Sequence, residues 1–462
     1  MQNNLKKGMM EILLANIINM VFNLLTNFLL PKYLSVDSYA AIKTFQLYTT
    51  YVGIFALGYA DGMYLRYGGK EIDKIDRKEL KTGMVSFRTM MLIESAILIP
   101  LALLFRDRII IAFAMTIMSA NMASYFKNLY QAVGEFKSYS KILNLTTIFT
   151  FIANMALLFI VRTDDYFLYL ISYVIVDTII WFALEINISK ILEGVEPGHV
   201  SIKLLWEDIK AGFLLMIGNF SNILLSSMDR WFVKVMMDSA QFAYYSFAVS
   251  MEGFLNVAIT PITTTLYNYF CNHSEHDDVI RIRRYVMLFG TVIVAAAFPA
   301  RFIIEILLQN YTGAINVLFI LFGTQMVYII IKGVYVNLYK AFKKQNLYFI
   351  RLILILIIGA ILNWSFVQIY PYKEAFSYGT LVSAYIWLIF SIWDFKEYKF
   401  EFREWLYLFI EVTVFITCGI LFNSITGLLI YVTASMLCMN LFMKEETKMA
   451  LRLVKGNINR KK

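Results

Sequence analysis

The chain has 462 residues and a formal net charge of +9, and only 16% of its residues are charged against 59% hydrophobic; a soluble protein carries about a quarter charged residues. With a mean hydropathy of +0.63, this composition excludes a soluble globular enzyme. The basic excess sits in short loops beside apolar runs, so it marks membrane topology and gives no reason to expect nucleic-acid binding.

Apolar runs of about 20 residues follow one another along the chain, each long enough to cross roughly 30 Å of hydrocarbon as a helix. They are continuous and do not alternate every second residue as membrane strands do. The pattern predicts an all-α polytopic membrane protein with about fourteen spans, near 9–30, 39–60, 83–105, 109–130, 139–161, 166–187, 211–233, 241–263, 285–308, 313–335, 347–370, 376–393, 404–422 and 426–443.

The first span carries Asn16, Asn19, Asn23 and Asn27, which fall within an arc of about 80° on a helix. Two lysines precede it without a small-residue cleavage site, so it is expected as a retained anchor. The second span holds Lys43, the third Arg88 and Glu94, and the sixth Asp177. The stretch 188–210 contains Gly194, Pro197 and Gly198 followed by SIKLLWEDIK, a linker leading into an amphipathic surface helix. The seventh span repeats the first stripe as Asn219, Asn222, Ser226 and Arg230, 203 positions on (219 − 16). The eighth span carries Glu252 and Pro261, the ninth Arg301, the tenth Lys332 and the thirteenth Glu411. His199, His273 and His276 fall in loops, and the segment from Cys271 to Asp278 is expected to be solvated rather than a metal site. Cys418 and Cys438 lie in apolar runs, and no cysteine spacing suggests a disulfide or metal framework.

Counting from a cytoplasmic N-terminus, basic residues favour the inside segments by about four to one. Both termini are therefore expected inside, with 444–462 as a basic cytoplasmic tail. A second repeat supports a duplication. Asn128-Leu129-Tyr130-Gln131-Ala132 ends the fourth span and Asn337-Leu338-Tyr339-Lys340-Ala341 ends the tenth, an offset of 209 (337 − 128). Six spans separate the copies, so the halves share one orientation, a parallel repeat. The expected layout is an N-lobe at 1–187, the linker at 188–210, a C-lobe at 211–395 and two further spans at 396–443.

Three stretches resemble a known family. Pro31-Lys32-Tyr33-Leu34-Ser35-Val36-Asp37-Ser38-Tyr39-Ala40 resembles the turn after the first span of polysaccharide flippases. Ser227-Met228-Asp229-Arg230-Trp231-Phe232-Val233 is similar to their seventh-span signature, and Asn128 to Tyr139 to the end of their fourth span. Ala40 and Ala41 stand where the family often has glycine, and Gly212-Phe213 lacks the proline that commonly opens span seven. The resemblance is to the O-antigen and capsule repeat-unit flippases of the multidrug/oligosaccharidyl-lipid/polysaccharide exporter superfamily. It implies two six-helix lobes around a central cavity, plus two extra helices, in the bacterial cytoplasmic membrane. It implies as substrate a polyprenyl-diphosphate-linked oligosaccharide, with membrane lipids, a polysaccharide polymerase and glycosyltransferases as partners.

Such a substrate needs amides for its hydroxyls and cations for its phosphates. Asn16, Asn19, Asn23, Asn27, Asn219, Asn222 and Ser226 are the candidate polar lining, against the alternative of interhelical hydrogen-bond glue. Lys43, Arg88, Arg230, Arg301 and Lys332 are the candidate cations, against an ion pair with Asp229 or an interfacial snorkel for Arg230 and a snorkel to the cytoplasmic edge for Arg88. Glu94, Asp177 and Glu252 are candidates for coupling to H+ or Na+. No cofactor is expected, because there is no phosphate-cradling glycine loop. Two competing readings are a multidrug or other lipid-precursor exporter of the same fold, and a membrane glycosyltransferase or polymerase. The latter needs outer-loop chemistry, often paired carboxylates, whereas the first outer loop offers only Asp37 and no outer loop is long.

Overall fold

The computed structural model describes residues 2–71, 74–272, 275–449 and 452, with side chains from residue 16 onward apart from Phe136. His273 and residues 453–462 of the basic tail lie outside the described residues. Among the described residues all regular structure is helical, as hydrocarbon requires when it leaves backbone groups no water to bind.

Eleven helical segments are long and apolar enough to cross a membrane. Three further passes are α1 (Gln2–Tyr33), the broken pair α2 (Val36–Thr49) and α3 (Tyr59–Tyr67), and the broken pair α9 (Ser239–Gly253) and α10 (Leu255–Asn272). With them the helices follow the fourteen expected passes.

The chain forms two compact units, residues 1–224 and 225–462. In the first, α4 (Arg77–Phe105), α5 (Arg108–Ala132), α6 (Phe136–Met155) and α7 (Tyr166–Ile191) follow the α2–α3 pair. Helix α5 is the central post, packed against α7, α4, α3 and α2, and α1 lies along α6. Stacked rings tie α3 to α4, with Tyr59 and Phe87 centroids 4.7 Å apart and Tyr125 of α5 beside them. Helix α8 (Ile202–Met236) begins in this unit and continues into the second. Its 35 residues span about 52 Å, well beyond the hydrocarbon thickness. The amphipathic stretch from residue 202 is therefore the leading end of the seventh span itself.

In the second unit, α11 (His276–Val294) and α12 (Ala297–Leu307) form the ninth pass, and α13 (Ile315–Ile330) with α14 (Val336–Ala341) the tenth. Helices α15 (Gln345–Ile369), α16 (Glu374–Asp394), α17 (Phe402–Leu421) and α18 (Ser424–Phe442) follow. Helix α13 is the central post here, enclosed by α16, α17, α11 and α9. Although α17 lies outside the duplication, it buries Tyr407 and Phe415 and packs directly on α13.

The repeat in sequence is a repeat in geometry. After α5, Val133 N–H donates to Leu129 O and Glu135 N–H to Tyr130 O. After α14, Phe342 N–H donates to Leu338 O and Lys344 N–H to Tyr339 O, each 209 residues on. The left-handed residue that makes this helix stop is Gly134 in one copy and Lys343 in the other. Near the start of each unit the offset is 203: Ser35 caps α2 by accepting from Ser38 N–H, and Asp238 caps α9 by accepting from Gln241 N–H.

Candidate functional site

In the first unit the break between α2 and α3 sets the geometry. Leu57 and Gly58 both have positive φ (49° and 85°), which turns the chain and aims α3 at the leading half of α8. There two backbones touch. A Cβ on Gly62 would lie 1.9 Å from Asp208 O, and one on Gly212 would lie 2.1 Å from Gly58 O. Only glycine permits this approach. A charge cluster crosses the same seam: Arg66 Nε donates to Asp208 Oδ1 at 2.6 Å, and its guanidinium also meets Glu79 and Glu207. Further along, Asn219 donates to Asp61 Oδ1 at 3.3 Å.

A second polar cluster lies within the first unit. Lys43 is buried, and its Nζ donates to Asn27 Oδ1 (2.8 Å) and Gln46 Oε1 (3.1 Å). It also lies 5.2 Å from the Tyr39 ring centroid. Gln46 and the fully buried Asn154 both donate to Tyr173 Oη at 3.3 Å. The chain thus joins one stripe asparagine to one candidate cation across α1 and α2.

The other stripe residues are not gathered in this way. Asn16 and Asn23 are exposed, and Asn19 is half-buried with a buried Oδ1 that has no hydrogen-bond partner. Asn222 and Ser226 are exposed, and Asn222 donates back to Gly218 O of its own helix.

In the second unit Asp229 is buried and accepts from Tyr245 Oη at 2.6 Å and from the Arg230 backbone N–H at 2.8 Å. The Arg230 guanidinium is left without a carboxylate partner among the described residues, and its Nε is buried without a hydrogen bond. Lys332 is exposed, with Nζ 5.1 Å from the Tyr328 ring centroid, and it too has no ion pair among the described residues. Glu252 accepts from Gln325 Nε2 and lies within Coulombic reach of Asp229, Lys332 and Arg230. Two cations and two carboxylates thus share one region of this unit without a direct ion pair among the described residues.

Arg88 and Arg301 belong elsewhere. Arg88 pairs with Glu185, and Arg301 pairs with Glu305 while donating to the carbonyls of Gly419 and Phe422. Glu94 is half-buried with Oε2 unpartnered, and the opposite charge near Asp177 is Lys127. Glu411 accepts from Ser435. Cys271 and His276 are exposed.

Sequence reasoning missed Gln46, Asn154, Tyr245, Gln325 and the Arg66 seam. Only Asp229 carried a signal, as the acidic residue of the seventh-span motif.

These features define a multi-pass helical membrane protein with polar clusters buried among its spans. No protein-family model matches the chain, and no curated protein does. Among solved structures it is similar to the lipid II flippase MurJ in an inward closed conformation, with a TM-score of 0.68 and 14% identity over 94% of this chain and 98% of that one. It is also similar to a mutant of the Vibrio cholerae MATE transporter VcmN, with a TM-score of 0.52 and 14% identity over 86% of this chain and 95% of that one. At such identities the likeness establishes the fold, which this chain shares with a flippase and a transporter.

Proposed function

We propose that the chain is a flippase that carries a polyprenyl-diphosphate-linked oligosaccharide repeat unit from the cytoplasmic to the outer leaflet of the bacterial cytoplasmic membrane, by alternating access, for surface polysaccharide biosynthesis. The observation that carries this reading is the pair Arg230 and Lys332. Intramembrane cations are costly, and these two make no direct ion pair with a carboxylate among the described residues, which leaves their donors to suit a diphosphate. The stripe amides and the Lys43, Asn27 and Gln46 cluster suit sugar hydroxyls, since an amide both donates and accepts. The fold shared with a lipid II flippase supports a lipid-linked substrate.

Glu252, with Glu94 and Asp177 as further candidates, is the group we assign to coupling with H+ or Na+. A polymerase and glycosyltransferases would act on the same lipid-linked unit after and before it crosses. The test is deletion of the gene followed by extraction of lipid-linked sugars. The flippase reading expects complete repeat units to accumulate on the cytoplasmic face, and normal surface polysaccharide without such accumulation overturns it.

The second reading is a multidrug exporter, favoured by the carboxylates Asp229 and Glu252 and the fold shared with a MATE transporter. It expects the deletion strain to become sensitive to cationic dyes with its surface polysaccharide intact.

A further inference from the structure

The two flanks of α7 differ at the end that the basic residues assign to the cytoplasm. On the α4 flank a groove is lined by Arg88 and Lys190 but also by Glu185 and Glu193, and Arg88 is already paired with Glu185. On the α6 flank a cavity of about 510 Å³ is lined by Lys137 and Lys141 with no carboxylate among its walls. Neither lysine has a carboxylate partner among the described residues. Across from them stands Asn187, held by its hydrogen bond to Tyr130 Oη at 2.6 Å.

Polarity in this cavity runs one way. Lys137 and Lys141 sit in the first turns of α6, and Leu145 lines the wall below them. On α7, Asn187 is at the same end, and Leu184 and Ile180 continue downward. At 1.5 Å per residue the apolar wall extends about 10–12 Å from the polar end. An anion dissolved in water has no use for such a wall, whereas a lipid has a charged head at one end and hydrocarbon below.

We propose that the cavity between α6 and α7 binds an anionic membrane phospholipid, with Lys137 and Lys141 on its headgroup phosphate, Asn187 donating beside them, and Leu145, Ile180 and Leu184 along its acyl chain. The site is separate from the polar clusters assigned to transport, and it stands or falls independently of the flippase reading. Basic residues at the cytoplasmic surface attract anionic lipid in general, so the claim is that this cavity, and not the basic surface as a whole, holds the lipid.

The test uses the purified full-length chain in mild detergent, titrated with phosphatidylglycerol while its melting temperature is followed. Phosphatidylglycerol is expected to raise the melting temperature saturably, and phosphatidylcholine with the same acyl chains to have little effect. K137A/K141A should raise the half-saturating concentration by about 25-fold, since each lysine near an anionic headgroup contributes about fivefold. K137R/K141R should keep most of the response, and K444A/K448A, which removes two exposed lysines elsewhere, should behave as wild type. Equal responses of wild type and K137A/K141A overturn the proposal, as does an equal effect of phosphatidylcholine. Saturation by sn-glycerol 3-phosphate at comparable concentration also overturns it, because the occupant would then be a soluble anion.

Discussion

Arg230 and Lys332 differ in how they are held, and their variants should differ too. The Arg230 side chain is half-buried beside Asp229, whose carboxylate is already occupied by Tyr245. Lys332 stands open with its ammonium against the Tyr328 ring. A hydrogen bond to a charged group contributes about 1.5–3 kcal/mol, so Arg230→Ala and Lys332→Ala are each expected to slow transport about tenfold or more at normal expression. The measurement is the rate at which lipid-linked sugar becomes accessible on the outer face of vesicles, and unchanged rates remove the residue from the site. If Glu252 exchanges a proton during transport, Glu252→Gln should transport at a rate indifferent to an imposed proton gradient. Asp238 offers a simpler check. The Gln241 backbone N–H holds its carboxyl below the ordinary value, so the α9 cap stabilises the fold above the carboxylate range and the contribution is lost as pH falls through it. Asp238→Ala should cost about 1 kcal/mol near neutral pH, and its melting temperature should converge with that of wild type in acid.

At the scale of elements, the seam between α3 and α8 makes a sharper demand. Gly62→Ala or Gly212→Ala puts a methyl group where backbone already stands, so the seam must part. In a background lacking Cys271, Cys418 and Cys438, a cysteine placed at Tyr64 should be labelled by an impermeant maleimide several-fold faster in either glycine variant than without it. Equal labelling would show that the helices separate freely in any case. Arg66→Ala should shift labelling in the same direction. None of this was legible in sequence: Arg66 read as one more cytoplasmic basic residue, and its partner Asp208 is 142 positions away. The asparagine stripes were legible, because a helical period shows which residues share a face. The period does not say what that face meets. Asn27 therefore finds Lys43, while Asn16 and Asn23 on the same stripe stay exposed.

Across the whole molecule, the helix count and the duplication were readable because hydrocarbon thickness fixes span length and a repeat conserves register. The same hydrogen-bond pattern recurs at offsets of 203 and 209, so local structure repeats where the sequence does. Ion pairs that close each unit were hidden, since opposite charges far apart in sequence carry no mark of being neighbours. In the second unit Arg283 and Glu404 are both fully buried, with Nη2 and Oε2 2.6 Å apart, and Arg284 shares the same carboxylate. Removing one partner from a buried pair costs about 3–5 kcal/mol. Glu404→Ala is thus expected to lower the melting temperature of the purified protein by many degrees. A variant that melts as wild type would place the attachment of α17 in its apolar contacts alone.

The glycine contact between α3 and α8 also bears on the energy supply of the cell. If the route proposed for the cargo runs along this seam, backbone against backbone leaves no gap there for a file of water or for protons. Cells producing Gly212→Ala should therefore show a lowered membrane potential and slower growth even when no sugar is being made, a toxicity arising from leakage rather than from lost cargo.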